Sequence, residues 1–364
     1  MEDYAVTVVT NNLPIATASR LQKSIDTKLM VIDENLNVIH DNLEGLIEYI
    51  NDGDIIVVNN SSTLPSSFSG FHDPTHESIE LRLVQSLNYE ITDVSNWKVT
   101  IFGEGDWRTP TEERKKPPKI EIGDVLHFKS NLSAKVTRLD ENFLLNIKFI
   151  GTNNKIWQKL YEAGKPTQYS YLEEDLHLYD QQTIFSGPPL SLEPNSASFQ
   201  LTWDIINKLK TKGARIVAIT HAISLSSTGN EGEFDFISLP FPERYWISQK
   251  SAEEINEAII HGKRIIAIGT SVTRALESAA DGQGLIKYGS RITDLKITKE
   301  HKLKVISGLL TGMHIPEASH INLLEAFIPR IELELAYMEA QSLNYQWHEY
   351  GDVSLIFKQV EEEN

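Results

Sequence analysis

Gly262-Lys-Arg-Ile-Ile-Ala-Ile-Gly-Thr-Ser-Val-Thr-Arg-Ala-Leu-Glu-Ser278 decides how the chain is built. Within it, Arg264 to Ile268 is a short apolar run rich in β-branched residues and ended by Gly269, which is how a strand buried on both faces reads. A helix is expected at once, capped by Thr270 or Ser271, with Arg274, Glu277 and Ser278 along one flank. The first N–H groups of such a helix point out over the carboxyl end of a sheet, where open α/β sheets bind ligands. Spacing alone leaves an ordinary capped βα turn open as the simpler reading.

Length and composition set the frame around this stretch. A chain of 364 residues predicts two domains, and 40% hydrophobic with 23% charged residues is the composition of a globular protein. No run approaches the ~18 apolar residues of a membrane span, and the first residues, Met-Glu-Asp-Tyr, are acidic, so a cytoplasmic protein without a membrane partner is expected. The absence of cysteine excludes disulfides, thiolate metal sites, iron-sulfur ligation and a cysteine nucleophile. A formal charge of −17 weighs against a surface shaped for a polyanion, because affinity for nucleic acid comes largely from Lys and Arg displacing counterions.

Outward from the central stretch the pattern is mixed. Lys28 to Asp33 and Asp54 to Asn59 read as buried strands, with Leu43 to Ile50 as a helix between them and hence a βαβ start. From about 70 to 151, short period-two segments (Ser78 to Val84, Trp97 to Phe102, Asp124 to Phe128, Leu132 to Leu139, Asn142 to Ile150) indicate an all-β unit. Its loop from Glu112 to Lys119 holds a basic cluster, read as a solvated, proline-stiffened loop. Tyr169 to Pro194 is a long ordered loop region, of the kind that is often functional. Thr202 is an N-cap for a helix from Trp203 to about Lys212, Arg215 to Ile219 is a strand ending at Thr220-His221, and Ser251-Ala-Glu-Glu254 is a capping box for a helix to Ile260. Leu323 to Phe327 and Ile331 to Leu343 read as amphipathic helices, followed by a closing strand at Val353 to Phe357. There is no G-x-G-x-x-G, Walker A, G-x-S-x-G or H-E-x-x-H motif, and His314 and His320 lack ligand-like spacing, so no metal is expected.

Gly269, Thr270, Arg274, Leu276, Glu277 and Ser278 match the G-T-T-x-x-R-x-L-E-S segment of the S-adenosylmethionine:tRNA ribosyltransferase-isomerases, with Ser271 for the second Thr, and the chain resembles that family throughout. Asp54 to Asn60 is similar to G-D-L-L-V-x-N-D-T-R, with Asn59 in register, and Glu80-Leu-Arg-Leu, Trp97 and Gly123-Asp124 are similar to landmarks of its β-barrel. Gln182-Thr-Ile-Phe-Ser186 resembles Y-Q-T-V-Y-A, and Ala197 to Thr202 occupies the A-G-L-H-F-T segment. His221 matches the histidine of T-L-H-V-G-x-G-T-F, Glu243 and Tyr245 match the end of D-H-x-M-H-x-E-x-Y, and Thr293-Asp294-Leu295 resembles T-D-L-F-I. Thr311, His314 and Pro316 match G-L-L-T-N-F-H-L-P, and Tyr350-Gly351-Asp352 matches S-Y-G-D-x-x-L-I. Several positions depart from the pattern. Ser62 and Ser67 stand in place of two arginines, Gln200 of a histidine, Ile223 and Leu225 of glycines, Ser238 and Phe241 of two histidines, Gly312 of Asn, Met313 of Phe, and Glu317 of a frequent Lys.

The resemblance implies an α/β fold: a barrel-like domain made from both ends of the chain (1–64 and 152–364) with a small all-β barrel inserted at 65–151. It also implies a reaction that moves the ribosyl part of S-adenosylmethionine to the aminomethyl group of a deazaguanine in tRNA, releasing adenine and methionine in queuosine biosynthesis. Such chemistry needs a base for a proton next to the sulfonium and groups that help adenine leave. Among retained residues, His221 and His314 are the candidate proton carriers, and Glu243 is a third catalytic candidate that would face the cation. Asn59, Gln182, Thr202, Gly269, Thr270, Ser271, Arg274, Thr311 and Asp352 are candidate substrate contacts. Each has a plainer reading: Arg274 with Glu277 as a helix pair, Asp352 as a turn residue, His314 as a strand-end cap. The expected small-molecule partner is S-adenosylmethionine, as substrate, and the expected state is a monomer. tRNA as acceptor is set against the two missing arginines and the negative charge. Two alternatives stay open: a diverged relative using S-adenosylmethionine on a small acceptor, and a non-catalytic ligand-binding relative.

Overall fold

The computed structural model describes residues 16–88, 92–140, 144–226, 240–314 and 320–360. The chain opens with β1 (Lys28–Ile32) and β2 (Val38–Asn42), paired antiparallel. The reversal between them is an Asx-type turn, in which Oδ1 of Asp33 accepts the N–H groups of Asn35 and Asn37, both at 2.9 Å. A 3-10 helix, Leu43–Tyr49, takes the place of the expected α-helix and leads to β3 (Ile55–Asn59). The expected βαβ start is therefore not formed. β1 lies between β2 and the last strand, and it runs opposite to β3, because Val38–Asn42 is an extra strand that reverses the chain. Val-Ile-His-Asp-Asn is only half-buried and carries a weak period-two signal.

After the short β4 (Ser62–Thr63) come the six strands of the small unit: β5 (Ser67–His72), β6 (Ser78–Ser86), β7 (Asn96–Phe102), β8 (Val125–Phe128), β9 (Ser133–Leu139) and β10 (Leu144–Phe149). Among the described residues these close into a barrel in the order β10-β7-β6-β5-β8-β9. Their inward residues, among them Phe68, Leu81, Leu83, Val99, Ile101, Leu126, Val136, Ile147 and Phe149, fill its interior. β5 escapes a pattern reading because Ser-Phe-Ser-Gly-Phe-His is polar and broken by Gly70. That glycine is needed, since a Cβ there would meet the His127 carbonyl oxygen of β8 at 2.1 Å.

The remaining elements are α1 (Asn153–Ala163), β11 (Pro189–Ser191), α2 (Trp203–Thr211), β12 (Arg215–His221), β13 (Glu243–Ile247), α3 (Gln249–Ile260), β14 (Ile265–Ile268), α4 (Thr270–Ala279), β15 (Gly289–Thr293), β16 (Gly308–Gly312), α5 (His320–Leu324), α6 (Arg330–Ser342) and β17 (Val353–Phe357). They belong to the large unit, except that α1 packs on the barrel core and β11 pairs with β4. Among the described residues, nine strands form one sheet in the order β15-β13-β12-β3-β14-β16-β17-β1-β2. The expectation of a mixed α/β unit drawn from both ends of the chain, with an inserted all-β barrel, is borne out. Hydrogen-bonded closure belongs to the small unit, while the ladder of the large one ends at β15 and β2.

Both faces of the central strands are covered, which is why their sequences are continuously apolar. Ile55, Val57, Ile265 and Ala267 face α3, α4 and α6, whereas Ile56, Val58, Ile266 and Ile268 face α2 and the 3-10 helix at Leu43. Thr202 caps α2, accepting the Ile205 N–H, as expected. Two other caps differ from expectation. Ser248, not Ser251, caps α3, and Gly269 occupies the N-cap of α4, with Thr270 and Ser271 inside the helix. Gly269 has φ 92° and ψ 155°, a combination open essentially to glycine alone, and that geometry lets the helix begin one residue after the strand. No helix among the described residues is long and apolar enough to cross a membrane.

Candidate functional site

Four adjacent parallel strands, β12, β3, β14 and β16, end on one edge of the large sheet. They deliver Asn59, His221, Gly269 and Thr311 there. β13 begins at the same edge with Glu243, since antiparallel pairing sets His221 against Tyr245. The carboxylate of Glu243 is the centre of the site. Its Oε2 takes Nε2 of His221 at 2.8 Å and Nη1 of Arg274, and its Oε1 accepts the backbone N–H and the hydroxyl of Ser224, both at 2.6 Å. Burial alone would push this carboxyl up, but the Arg274 guanidinium and His221 outweigh it and hold the group down at about 2. Glu243 is thus ionised, and Nε2 of His221 carries the proton facing it. The other ring nitrogen, Nδ1, and Nη2 of Arg274 are buried without a hydrogen-bond partner among the described residues. Two buried polar nitrogens are thus available to a ligand here.

Asn59 sets the backbone of this cluster. Its side chain accepts the His221 N–H at 2.9 Å and donates to the His221 carbonyl at 2.9 Å and to Asn195. Thr311 bonds Nε2 of His314 at 2.8 Å, and the His314 ring stacks on His320 at 4.4 Å. Burial, with His320 and His348 adding to it, lowers His314 well below the ordinary histidine value, so its ring is neutral near pH 7. Beyond it lie two tyrosine–carboxylate pairs. Tyr171 donates to Glu349, which also takes His348 at 2.8 Å, and Tyr169 donates to Glu193 at 2.5 Å. The two tyrosine rings stack at 6.1 Å. Burial pushes the Glu193 carboxyl up to about 7. Against the same pressure, His348 and Tyr171 hold Glu349 at about 2.

The residues expected to touch substrate divide into two groups. Gly269, Thr270, Ser271, Arg274, Thr311, His221, Glu243 and His314 share this edge of the sheet, and Asn59 lies directly beneath it. The other three are engaged elsewhere. Gln182 pins Thr63 through its N–H and its carbonyl, each at 3.0 Å, Thr202 caps α2, and Asp352 accepts the N–H groups of Lys28 and Gln346 at 2.7 Å each. The plainer reading of Arg274 as a partner of Glu277 is overturned. Arg274 turns to Glu243 and the Leu295 carbonyl, while Glu277 accepts the backbone N–H groups of Lys304, Val305 and Ile306. Glu193, Glu349, His348, Tyr169 and Tyr171 escape the sequence reading, because single polar residues in loops carry no periodic signal, and His320, at the start of α5, is weighed there only as a metal ligand.

Two departures from the family pattern meet in space. Leu225, at a glycine position, and Phe241, at a histidine position, pack with Val84 and Leu144 of the barrel, so the loop after β12 is fastened to the small unit by apolar contact. The basic loop is not a free patch either. Arg114 is buried against Glu80, and Lys115 and Lys119 pair with Glu104 and Glu121 at the surface. Ser238, Pro316 and Glu317 lie outside the described residues, among which no group of three or more His, Asp or Glu could hold a metal ion.

A family model described as queuosine biosynthesis protein matches residues 12–356. A protein from Natranaerobius thermophilus named S-adenosylmethionine:tRNA ribosyltransferase-isomerase is 27% identical over 353 residues, which is 94% of this chain and 94% of the relative. One of the same name from Clostridioides difficile is 28% identical over 340 residues, covering 92% of this chain and 94% of that one. A crystal structure of S-adenosylmethionine tRNA ribosyltransferase from Thermotoga maritima superposes with a TM-score of 0.49 at 21% identity, over 94% of this chain and 96% of that one. Since the family model spans all but the two ends, the chain belongs to the queuosine biosynthesis protein family.

Proposed function

We propose that this chain is an S-adenosylmethionine:tRNA ribosyltransferase-isomerase, which moves the ribosyl part of S-adenosylmethionine to the aminomethyl group of a deazaguanine in tRNA and releases adenine and methionine. The observation that carries this reading is the meeting of His221, Glu243 and Arg274, which belong to three separate family motifs, around a single carboxylate oxygen. Relatives bearing that name align over nine-tenths of the chain, which favours this reading over a small acceptor or a non-catalytic role.

Each side chain has a job that follows from its contacts. Glu243 fixes the proton of His221 on Nε2, so the lone pair of Nδ1 is the acceptor for the proton next to the sulfonium. Nη2 of Arg274 donates to a substrate oxygen, and neutral His314, held by Thr311, is the second proton carrier. S-adenosylmethionine lies along Gly269, Thr270 and Ser271, where backbone N–H groups open α4. Asn59 is a positioning residue acting through the His221 backbone.

The domains are 1–64 with 152–364, and 65–151. In favour of this, the barrel strands all fall between Ser67 and Phe149, and the core they share with α1, Leu64 and Leu192 is distinct from the clusters on the two faces of the large sheet. The working unit is a cytoplasmic monomer, which light scattering on the purified protein would check against the mass of one chain or two. The enzymatic test incubates the protein with S-adenosylmethionine and tRNA bearing the aminomethyl-deazaguanine and follows adenine. Release that requires both substrates is expected. Release with S-adenosylmethionine alone, or none, would overturn the assignment.

A further inference from the structure

Away from the Glu243 cluster, the barrel holds two buried cations on one anion. Nε of Arg82 donates to Oε1 of Glu80 at 2.6 Å, Nη1 of Arg114 donates to Oε2 at 2.8 Å, and the Ser67 hydroxyl donates to Oε1 at 2.9 Å. Both arginine side chains are only 1% exposed. Nη1 of Arg82 and Nε and Nη2 of Arg114 have no hydrogen-bond partner among the described residues. The Phe102 ring lies against both cations, at 5.2 and 5.0 Å, and the Tyr169 ring lies 5.8 Å from Arg82. Gly105, at φ 134°, lets the 103–116 loop fold back on its own arginine, for a Cβ there would sit 3.3 Å from Nε of Arg114.

A triad that served only to fasten the barrel would be neutral or fully bonded, because a buried charge left without a partner is costly. This one carries an excess positive charge and three unused guanidinium nitrogens, two of them the Nε and Nη2 fork of Arg114, whose geometry suits a planar or tetrahedral oxyanion. The position also bears on a family departure. Ser67, which replaces an arginine of the family pattern, shares the Glu80 carboxylate with Arg114, so a guanidinium from the 103–116 loop reaches the place that the missing one would serve.

We propose that Arg82 and Arg114 form an oxyanion-binding site that takes a substrate carboxylate or phosphate. Only the source of the anion rests on the proposed function: the carboxylate of S-adenosylmethionine, or a backbone phosphate of the tRNA. Because both side chains are enclosed, the anion enters as the 103–116 loop parts from the barrel.

The test titrates the full chain with inorganic phosphate at constant ionic strength and follows thermal unfolding. A saturable rise in Tm is expected, with an apparent Kd raised about tenfold or more in Arg114→Lys and in Arg82→Lys, which keep the charge but lose the fork. The two variants guard against one failing to fold. No saturable effect, or a Kd in both variants equal to that of the wild type, overturns the site whatever the turnover, while absent adenine release with intact phosphate binding condemns only the proposed reaction. Calorimetry with S-adenosylmethionine and filter binding with tRNA then separate the sources. Loss of the first in Arg114→Lys assigns the carboxylate, and loss of the second, with the salt slope reduced by about one, assigns the phosphate. Loss of neither overturns the proposal.

Discussion

Glu243 is buried and Glu193 half-buried, yet their surroundings push the two carboxyls in opposite directions, and stability should record it. Glu243 is held at about 2, below its ordinary value of 4.5, so the stability it contributes is present above pH 4.5 and is lost as pH falls towards 2. Glu243→Gln removes this dependence. Urea unfolding should show the wild type losing about 2 kcal/mol more than the variant between pH 4.5 and 3. Glu193 is raised to about 7, so its contribution is full below pH 4.5 and is lost as pH climbs through 7. Glu193→Gln keeps an oxygen for Tyr169 and Ser226, and should gain about 2 kcal/mol on the wild type between pH 5 and 7.5, after allowance for its partial exposure. Equal pH profiles would contradict either claim. His221, Glu243 and Arg274 were legible in the sequence as separate motif residues. That they share one oxygen was not, because it depends on how β12, β13 and α4 are juxtaposed.

At the scale of elements, the strand-turn-helix from Arg264 to Ser278 is the best-read part of the chain, since a buried strand followed at once by an amphipathic helix has few other solutions. Its cap was misread because a serine or threonine was favoured over a glycine whose φ of 92° no side chain adopts cheaply. Gly269→Ala should therefore cost about 1 to 3 kcal/mol in urea unfolding and weaken binding of S-adenosylmethionine in calorimetry. An alanine variant equal to wild type in both would remove the turn from the site. The error at the other end of the sheet has a different cause. Val38–Asn42 is short and half-buried, and without it the direction of β1 relative to β3 cannot be inferred, because one added strand reverses everything before it.

For the whole molecule, the large sheet supplies a common edge and the barrel supplies a wall, joined in part by Leu225 and Phe241 packed on Val84 and Leu144. Phe241→Ala should destabilise by about 3 kcal/mol, and Leu225→Ala should cost less in that background than alone, since the two truncations share one cavity. Strict additivity in urea unfolding would mean that they do not form one contact. The two-unit layout was legible from the switch between periodicities at about 70 and 151, whereas the seating of the loop after β12 was not, because it arises where two departures from the pattern meet. The central claim is that the strand ends assemble a working base in His221, oriented by Glu243. Adenine release near neutral pH, with saturating S-adenosylmethionine and deazaguanine-bearing tRNA, tests it most directly in wild type and His221→Asn. The account predicts a rate lowered about 100-fold or more in the variant, with S-adenosylmethionine affinity unchanged and urea unfolding showing a protein that is still folded at the assay temperature. Equal rates in the two proteins would contradict it.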